Sequence, residues 1–449
     1  MNISSEKLEH YWMPFTANRD FKANPRIFVS GEGMYYQSHE GKRILDGSSG
    51  LFCVAAGHGR REIADAVGKQ LMELDYCAPF QSAHPLSFEL AQRVAALTPS
   101  DLDYVFFTNS GSEAVDTALK IALAYHRARG QGQRMRFISR ERAYHGVNIG
   151  GTSLSGLVKN REAFGVGLTG VAHLRHTWLP ENRFTKGQPE SGAELAEDLQ
   201  RMVGLYGADT IAACFIEPIA GSTGILVPPK GYLERLREIC DAHGILLVFD
   251  EVICGFGRTG KAFAAQSFGV TPDMMTMAKA LTNGAQPMGA VAVSKNIYDA
   301  ICGPAPAEAI ELFHGYTYSA HPAACAAGLA VLDIYEKEGL FERAADMSEY
   351  FLEAVFALSD LPVITDIRGY GLIAGFDVAP AGTPGVRGYE VQKRLFEAGM
   401  HIKMTGDAGI LAPPLIAEKA HIDEMCAILR DVLETYPAQT ADIRKAHSS

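Results

Sequence analysis

The chain has 449 residues, 47% of them hydrophobic and 21% charged, which is enough for two domains around a large core. Its formal net charge of −11, with Lys and Arg scattered, argues against a nucleic-acid partner or an acidic membrane surface. The eight cysteines stand singly with no C-x-x-C pair, the start "MNISSEKLEHYW" puts charges where a signal peptide needs an apolar core, and the apolar stretch 323–332 is too short to span a bilayer. These features predict a cytoplasmic protein with no disulfide framework, no metal site and no membrane partner.

In chain order, 27–47 alternates short extended pieces with Gly turns and predicts a small meander. The segment 85–97 has helical periodicity, "DYVFFTNS" (103–110) is a short buried strand, and 112–130 is a helix with Ala118, Ile121, Ala122 and Tyr125 on one face. Further apolar strands are predicted at 135–139, 211–218, 245–251, 273–279 and 289–294, with a helix at 231–244. The polar, Gly/Pro-rich stretch 181–194 reads as a surface excursion, and amphipathic helices with short strands follow residue 330. Apolar strands alternating with helices predict an α/β fold, a mostly parallel sheet covered by helices on both faces.

The stretch "GILLVFDEVICGFGRTGKAF" (244–263) suggests a nucleotide-binding ATPase, with an acidic strand end and a G-x-x-x-x-G-K run from Gly255 to Lys261. The position that needs a Ser or Thr hydroxyl for Mg²⁺ holds Ala262, and one strand would have to supply both the acid and the loop. Chance glycines in a turn explain the run better.

Wound parallel sheets place their sites at the carboxyl ends of the strands, and four candidates stand there. "TNSGSEA" (108–114) leads a strand into a helix N-terminus, where free N–H groups and small hydroxyls make an anion cradle or simply a cap. Tyr144-His145 lies beyond the 135–139 strand, Asp250 finishes an apolar run, and Lys279 follows "DMMTMA". Asp250 also fits a turn acid and Lys279 a snorkelling lysine. Together, cradle, aromatic plate, carboxylate and lysine are the set that pyridoxal 5′-phosphate requires.

The segments "FTNSGSEAVDTALK", "RAYHG", "FIEPIAGSTG", "LVFDEVICGFGRTG", "MAKALTNGAQPMGAV" and "GYTYSAHPAACAAGLAVL" resemble the class III (omega) aminotransferases, with motif order intact from about residue 10 to 430. The resemblance implies a fold-type-I pyridoxal-phosphate transferase with a small α+β domain built from both chain ends. The expected division is 1–70 and 331–449 for the small domain and 71–330 for the cofactor domain. It further implies a homodimer or dimer of dimers and transfer of an amino group from an omega-amino acid such as beta-alanine, or a primary amine, to pyruvate. A class III aminomutase or decarboxylase would use the same cofactor residues.

By the same resemblance, Lys279 is the Schiff-base lysine and proton carrier, and Asp250 faces the pyridine nitrogen. Tyr144 and Val252 cover the two ring faces, Glu217 stands near the cofactor's hydroxyl edge, and Ser110, Gly111 and Ser112 hold the phosphate, with Thr317 coming from the partner subunit. Relatives carry Arg in an R-x-x-G-D segment that clamps a substrate carboxylate; here Lys403 stands there, a point charge without the bidentate fork. Relatives also carry Trp where this chain has Phe52, which is expected to line an apolar pocket with Phe80 and Tyr144. If Lys403 is only a surface lysine, Arg258 is the next candidate for the carboxylate clamp.

Overall fold

The computed structural model describes residues 5–99, 101–165 and 167–436. Three short strands open the chain, β1 (Phe28–Glu32), β2 (Tyr35–Ser38) and β3 (Arg43–Asp46). The central sheet is built from β4 (Tyr104–Thr108), β5 (Arg136–Arg140), β6 (Val171–Leu174), β7 (Ile211–Ile216), β8 (Leu246–Asp250), β9 (Met274–Met277) and β10 (Gly289–Val293). β11 (Ile364–Tyr370), β12 (Ile373–Val378), β13 (Met400–His401), β14 (Lys403–Thr405) and β15 (Ala408–Leu411) complete the set.

The central sheet has the order β4-β10-β9-β8-β7-β5-β6, and only β10 runs antiparallel to its neighbours. Six carboxyl ends therefore share one edge. The alternation of side chains explains why the strands are apolar throughout. Ala213, Phe215 and Val248 pack under the helix Gly111–Ala128, while Cys214, Ile216, Leu247 and Phe249 pack on the opposite face with Tyr232, Leu236 and Ile239. Gly244, left-handed at φ 62°, ends the helix Tyr232–His243 and turns the chain into β8.

Both chain ends meet in a second sheet, β1-β2-β3-β13, where Met400 and His401 pair in parallel with Leu45 and Asp46. A third, antiparallel sheet has the order β11-β12-β15-β14. The expected boundary at 330/331 falls within the unbroken helix Pro322–Lys337, whose buried face joins the core. The sequence pattern did not reveal β6, a four-residue edge strand that is half-exposed over three of its positions and so lacks a continuous apolar run. No helix among the described residues is long and apolar enough to cross a membrane.

Candidate active site

The sheet edge brings distant parts of the sequence into contact. Gly111 opens the helix that follows β4, and a Cβ placed on it would lie 3.0 Å from Val252 Cγ1 and 3.5 Å from Ala278 Cβ. Val252 stands two residues beyond Asp250, and Ala278 immediately precedes Lys279. The cradle turn, the acid and the lysine are thus three neighbouring strand ends.

The helix Gly111–Ala128 starts in a capped form. The Ser110 hydroxyl accepts from the Glu113 amide at 3.1 Å, and Glu113 Oε2 accepts from the Asn109 amide at 2.7 Å. The amides of Gly111 and Ser112, at the first two helical positions, have no partner inside the helix, so the turn offers N–H groups at the positive end of an 18-residue helix. The Ser112 hydroxyl accepts from the Val147 amide at 3.1 Å, which pins the turn beyond Tyr144-His145 to the same helix start.

Asp250 is 5% exposed. His145 Nδ1 lies 2.8 Å from Asp250 Oδ2, and the Val252 amide donates to Oδ1 at 3.2 Å. A carboxylate only accepts, so Nδ1 carries the proton of this pair, and His145 Nε2 is buried with no protein partner among the described residues. The sequence reading gave His145 no role, although it adjoins Tyr144 at a strand end. Glu217 is also buried: its oxygens accept from the amides of Tyr144 and Gly221, each at 2.9 Å. Burial and the nearby Asp250 raise its pKa, opposed by His145 and these two amides. Tyr144 is half-buried, and burial with Asp250 and Glu217 raises its phenol pKa.

Lys279 is half-buried and held at φ 51°, in the left-handed region. Phe52 has φ 63°, is buried, and its ring centroid lies 5.6 Å from Lys279 Nζ. Two non-glycine residues in this conformation, one beside the other, mark a place where tertiary contacts override backbone preference. Asn283 helps to hold them: its Oδ1 accepts from the Ala56 amide at 2.8 Å, and its Nδ2 donates to the Gly57 carbonyl at 3.0 Å.

Glu251, next to Asp250, points elsewhere. It is fully buried, and its oxygens accept from the amides of Ala264 and Ala265 at 3.0 and 2.7 Å. The amides of the Gly255–Lys261 run are used internally: Gly255 donates to Glu251 O, Phe256 and Gly257 to Ala262 O, and Gly260 to Gly257 O. With its amides turned inward and its acid capping a five-residue helix, this run is no phosphate loop, and the ATPase reading fails.

On the side of the small sheets, Lys403 is half-buried, and burial pulls its ammonium pKa down. Its amide donates to Ser48 Oγ at 3.0 Å, and its side chain forms no ion pair among the described residues. Arg258 does not fit the fallback role of carboxylate clamp. It is buried, and its guanidinium donates to the carbonyls of Leu372 and Pro413 and to Ser49 Oγ. Burial lowers its pKa to about 10. Phe80 and Thr317 belong to an exposed cluster: Phe80 is 58% exposed against Gly315, and the Tyr76 hydroxyl donates to the Thr317 carbonyl at 3.0 Å. Within one chain, the contacts of Phe80 are therefore with this segment, while Phe52 packs beside Lys279.

The donor set fits pyridoxal phosphate. A helix start whose first amides have no partner inside the helix suits a phosphate, a buried carboxylate that accepts from an imidazole N–H suits a pyridinium, and a half-buried lysine without an ion pair among the described residues suits a carbonyl.

Fold and site together define a fold-type-I enzyme, with its groups on the carboxyl edge of a wound sheet. The profile of the family described as aminotransferase class-III matches residues 16–433. An omega-aminotransferase of Caulobacter vibrioides is 56% identical over 96% of this chain and 99% of its own length. An omega-amino acid–pyruvate aminotransferase of Pseudomonas putida is 48% identical over 96% of each. Among solved structures, the omega transaminase of Pseudomonas jessenii in complex with PMP superimposes with a TM-score of 0.91 at 33% identity, covering 97% of this chain and 98% of that one. The chain belongs to the class III aminotransferase family.

Proposed function

We propose that the protein transfers an amino group from an omega-amino acid such as beta-alanine, or from a primary amine, to pyruvate, using pyridoxal 5′-phosphate. The observation that carries this reading is the meeting of Gly111, Val252 and Ala278, which joins an anion-binding helix start, a buried acid and a lysine at one sheet edge. The relatives named for omega-amino acid–pyruvate and beta-alanine–pyruvate transfer, at 48% identity, support the choice of substrates.

The amides of Gly111 and Ser112, with the hydroxyls of Ser110 and Ser112, would hold the phosphate, and Asp250 would hold the pyridine N–H. When bound, the cofactor supplies an electron sink for the electrons left when a proton leaves the donor's amino-bearing carbon. Lys279 Nζ, as a free amine, takes that proton and returns it, a general acid–base step within its own reach. His145 orients Asp250 by donating from Nδ1, and Glu217 fixes the Tyr144 backbone so that the ring covers one face of the site. Val252 closes the other face. Phe52 excludes water beside Lys279, and Lys403 attracts the carboxylate of pyruvate or of an omega-amino acid.

A homodimer, or a dimer of dimers, completes this reading. The exposed segment that carries Thr317 also exposes Phe313 and Tyr318, an apolar surface that a second copy would cover while Thr317 reaches its phosphate.

The test is a panel of amine donors with pyruvate. Alanine should form in equal amount to the aldehyde or ketone product, and the purified protein should show a visible absorption band that donor amine removes and pyruvate restores. An aminomutase or a decarboxylase would turn over without stoichiometric alanine, and that outcome would reject the reading.

A further inference from the structure

A cleft of about 1460 Å³ is bordered by Arg142 and Thr223, from the segments that follow the central strands, and by Asp377, Lys403 and Thr405 of the small sheet. Arg142 stands two residues before Tyr144, and Lys403 is tied through Ser48 to the segment that carries Phe52. Each wall of the cleft is thus connected through the chain to one side of the site.

Arg142 is half-buried at φ 60°, its backbone pinned by an amide that donates to the Gly156 carbonyl at 3.2 Å. Its guanidinium has one protein hydrogen bond, a long one of 3.4 Å from Nη2 to the Thr223 carbonyl, and no ion pair among the described residues. Burial and the nearby Arg368 lower its pKa, whereas Asp377 and Asp366 raise it. Those two acids are already engaged. Both oxygens of Asp377 accept from Arg368 at 2.8 Å, and Asp366 accepts from Arg368, Trp178 Nε1 and the Phe184 amide. The other cations on the cleft differ: Arg26 lies over the rings of Phe21 and Tyr389, Lys393 pairs with Asp20, and Lys159 is exposed. The hydroxyl of Thr223, whose carbonyl accepts from Arg142, is buried without a hydrogen-bond partner among the described residues. A guanidinium taken partly out of water without an acid is costly unless a ligand supplies one.

We propose that Arg142 is a specificity-determining residue that, with Lys403, receives the substrate carboxylate. The inference rests on the transaminase reading above. Arg142 supplies the planar fork that the point charge of Lys403 lacks, so the carboxylate is held from both walls of the cleft.

Arg142→Ala and Arg142→Lys should be compared with the unaltered holoenzyme on pyruvate, beta-alanine and 1-phenylethylamine, an amine without a carboxylate. Inhibition and calorimetric binding of propionate, an unreactive carboxylate, complete the set. In Arg142→Ala, KM for pyruvate and the dissociation constant of propionate should rise about tenfold or more, and at least about fivefold beyond any change for the amine. Arg142→Lys should recover part of this loss, and the double variant with Lys403→Ala should lose more than either single one. If Arg142→Ala melts too early for assay, Arg142→Gln, which keeps the length of the side chain, is read by the same ratio. The proposal is overturned if pyruvate and propionate change by less than about twofold, or if the amine suffers equally. Failure of the unaltered protein to form alanine would reject the transaminase reading instead, because propionate binding still reports on Arg142.

Discussion

The strand-end wall and the small-sheet wall of the site hold their charges in opposite ways. At the sheet edge each carboxylate is matched by the fold itself: Asp250 by His145 and an amide, Glu217 by two amides, and Glu251 by two more. On the small-sheet side, Lys403 has no acid partner among the described residues, and the acids Asp366 and Asp377 are given to Arg368. Acceptors that the fold pairs in advance keep a fixed orientation, which avoids reorganisation during a reaction. A group that meets a substrate must be left open, and its partner arrives with the ligand.

The comparison is broken most severely at the strand ends. Lys279→Ala should retain the fold yet lose the visible band and nearly all amino transfer, because it removes the amine proposed to hold the cofactor and move the proton. Absorbance and single-turnover rates measure both, and near-normal turnover would sink the mechanism. Asp250→Asn should bind cofactor but slow the amine half-reaction by about a hundredfold or more, since a neutral amide cannot stabilise a pyridinium. A rise in amine KM with kcat unchanged would mean that Asp250 faces something else.

On the opposite wall the effect is smaller and selective. Lys403→Ala should reduce kcat/KM for pyruvate by about ten- to a hundredfold, the worth of one charge-assisted hydrogen bond, while sparing simple amines. Lys403→Arg should retain or improve the value, because a guanidinium fork matches a carboxylate. A loss shared equally by amines would make Lys403 structural.

Glu251 sharpens the contrast with the least effect on turnover. Burial, opposed by its two amides, raises its pKa from 4.5 to about 7. Between those pH values the folded state binds more protons than the unfolded chain, so this group's contribution makes stability fall as pH rises through the window and level off above it. Glu251→Gln should remove that slope from the melting temperature between about pH 4.5 and 7. Identical slopes in both proteins would show that Glu251 does not titrate there.

Much of the strand-end wall was legible in the sequence because it is local. Buried parallel strands must be apolar and end where polarity returns, so the runs 103–110, 211–218, 245–251 and 273–279 overran the strand ends at Thr108, Ile216, Asp250 and Met277 by only one or two residues. The Ser110 cap and Gly111 were readable for the same reason: helix starts are set by adjacent residues. The edge strand β6 was not, since half-exposed strands leave little apolar signal.

The sequence by itself determined the class of sheet, the approximate strand ends, and the order of the residue types proposed to bind the cofactor. Only the tertiary structure decided which charges are matched. It gave Asp250 to His145, 105 positions away, turned the neighbouring Glu251 inward onto a helix start, and tied Arg258 to backbone carbonyls. It also left Arg142 and Lys403, on a common cleft, with no ion pair among the described residues. Hydrogen-bond partners are chosen by distance in space after the chain has folded, and periodicity along the chain carries no record of that choice.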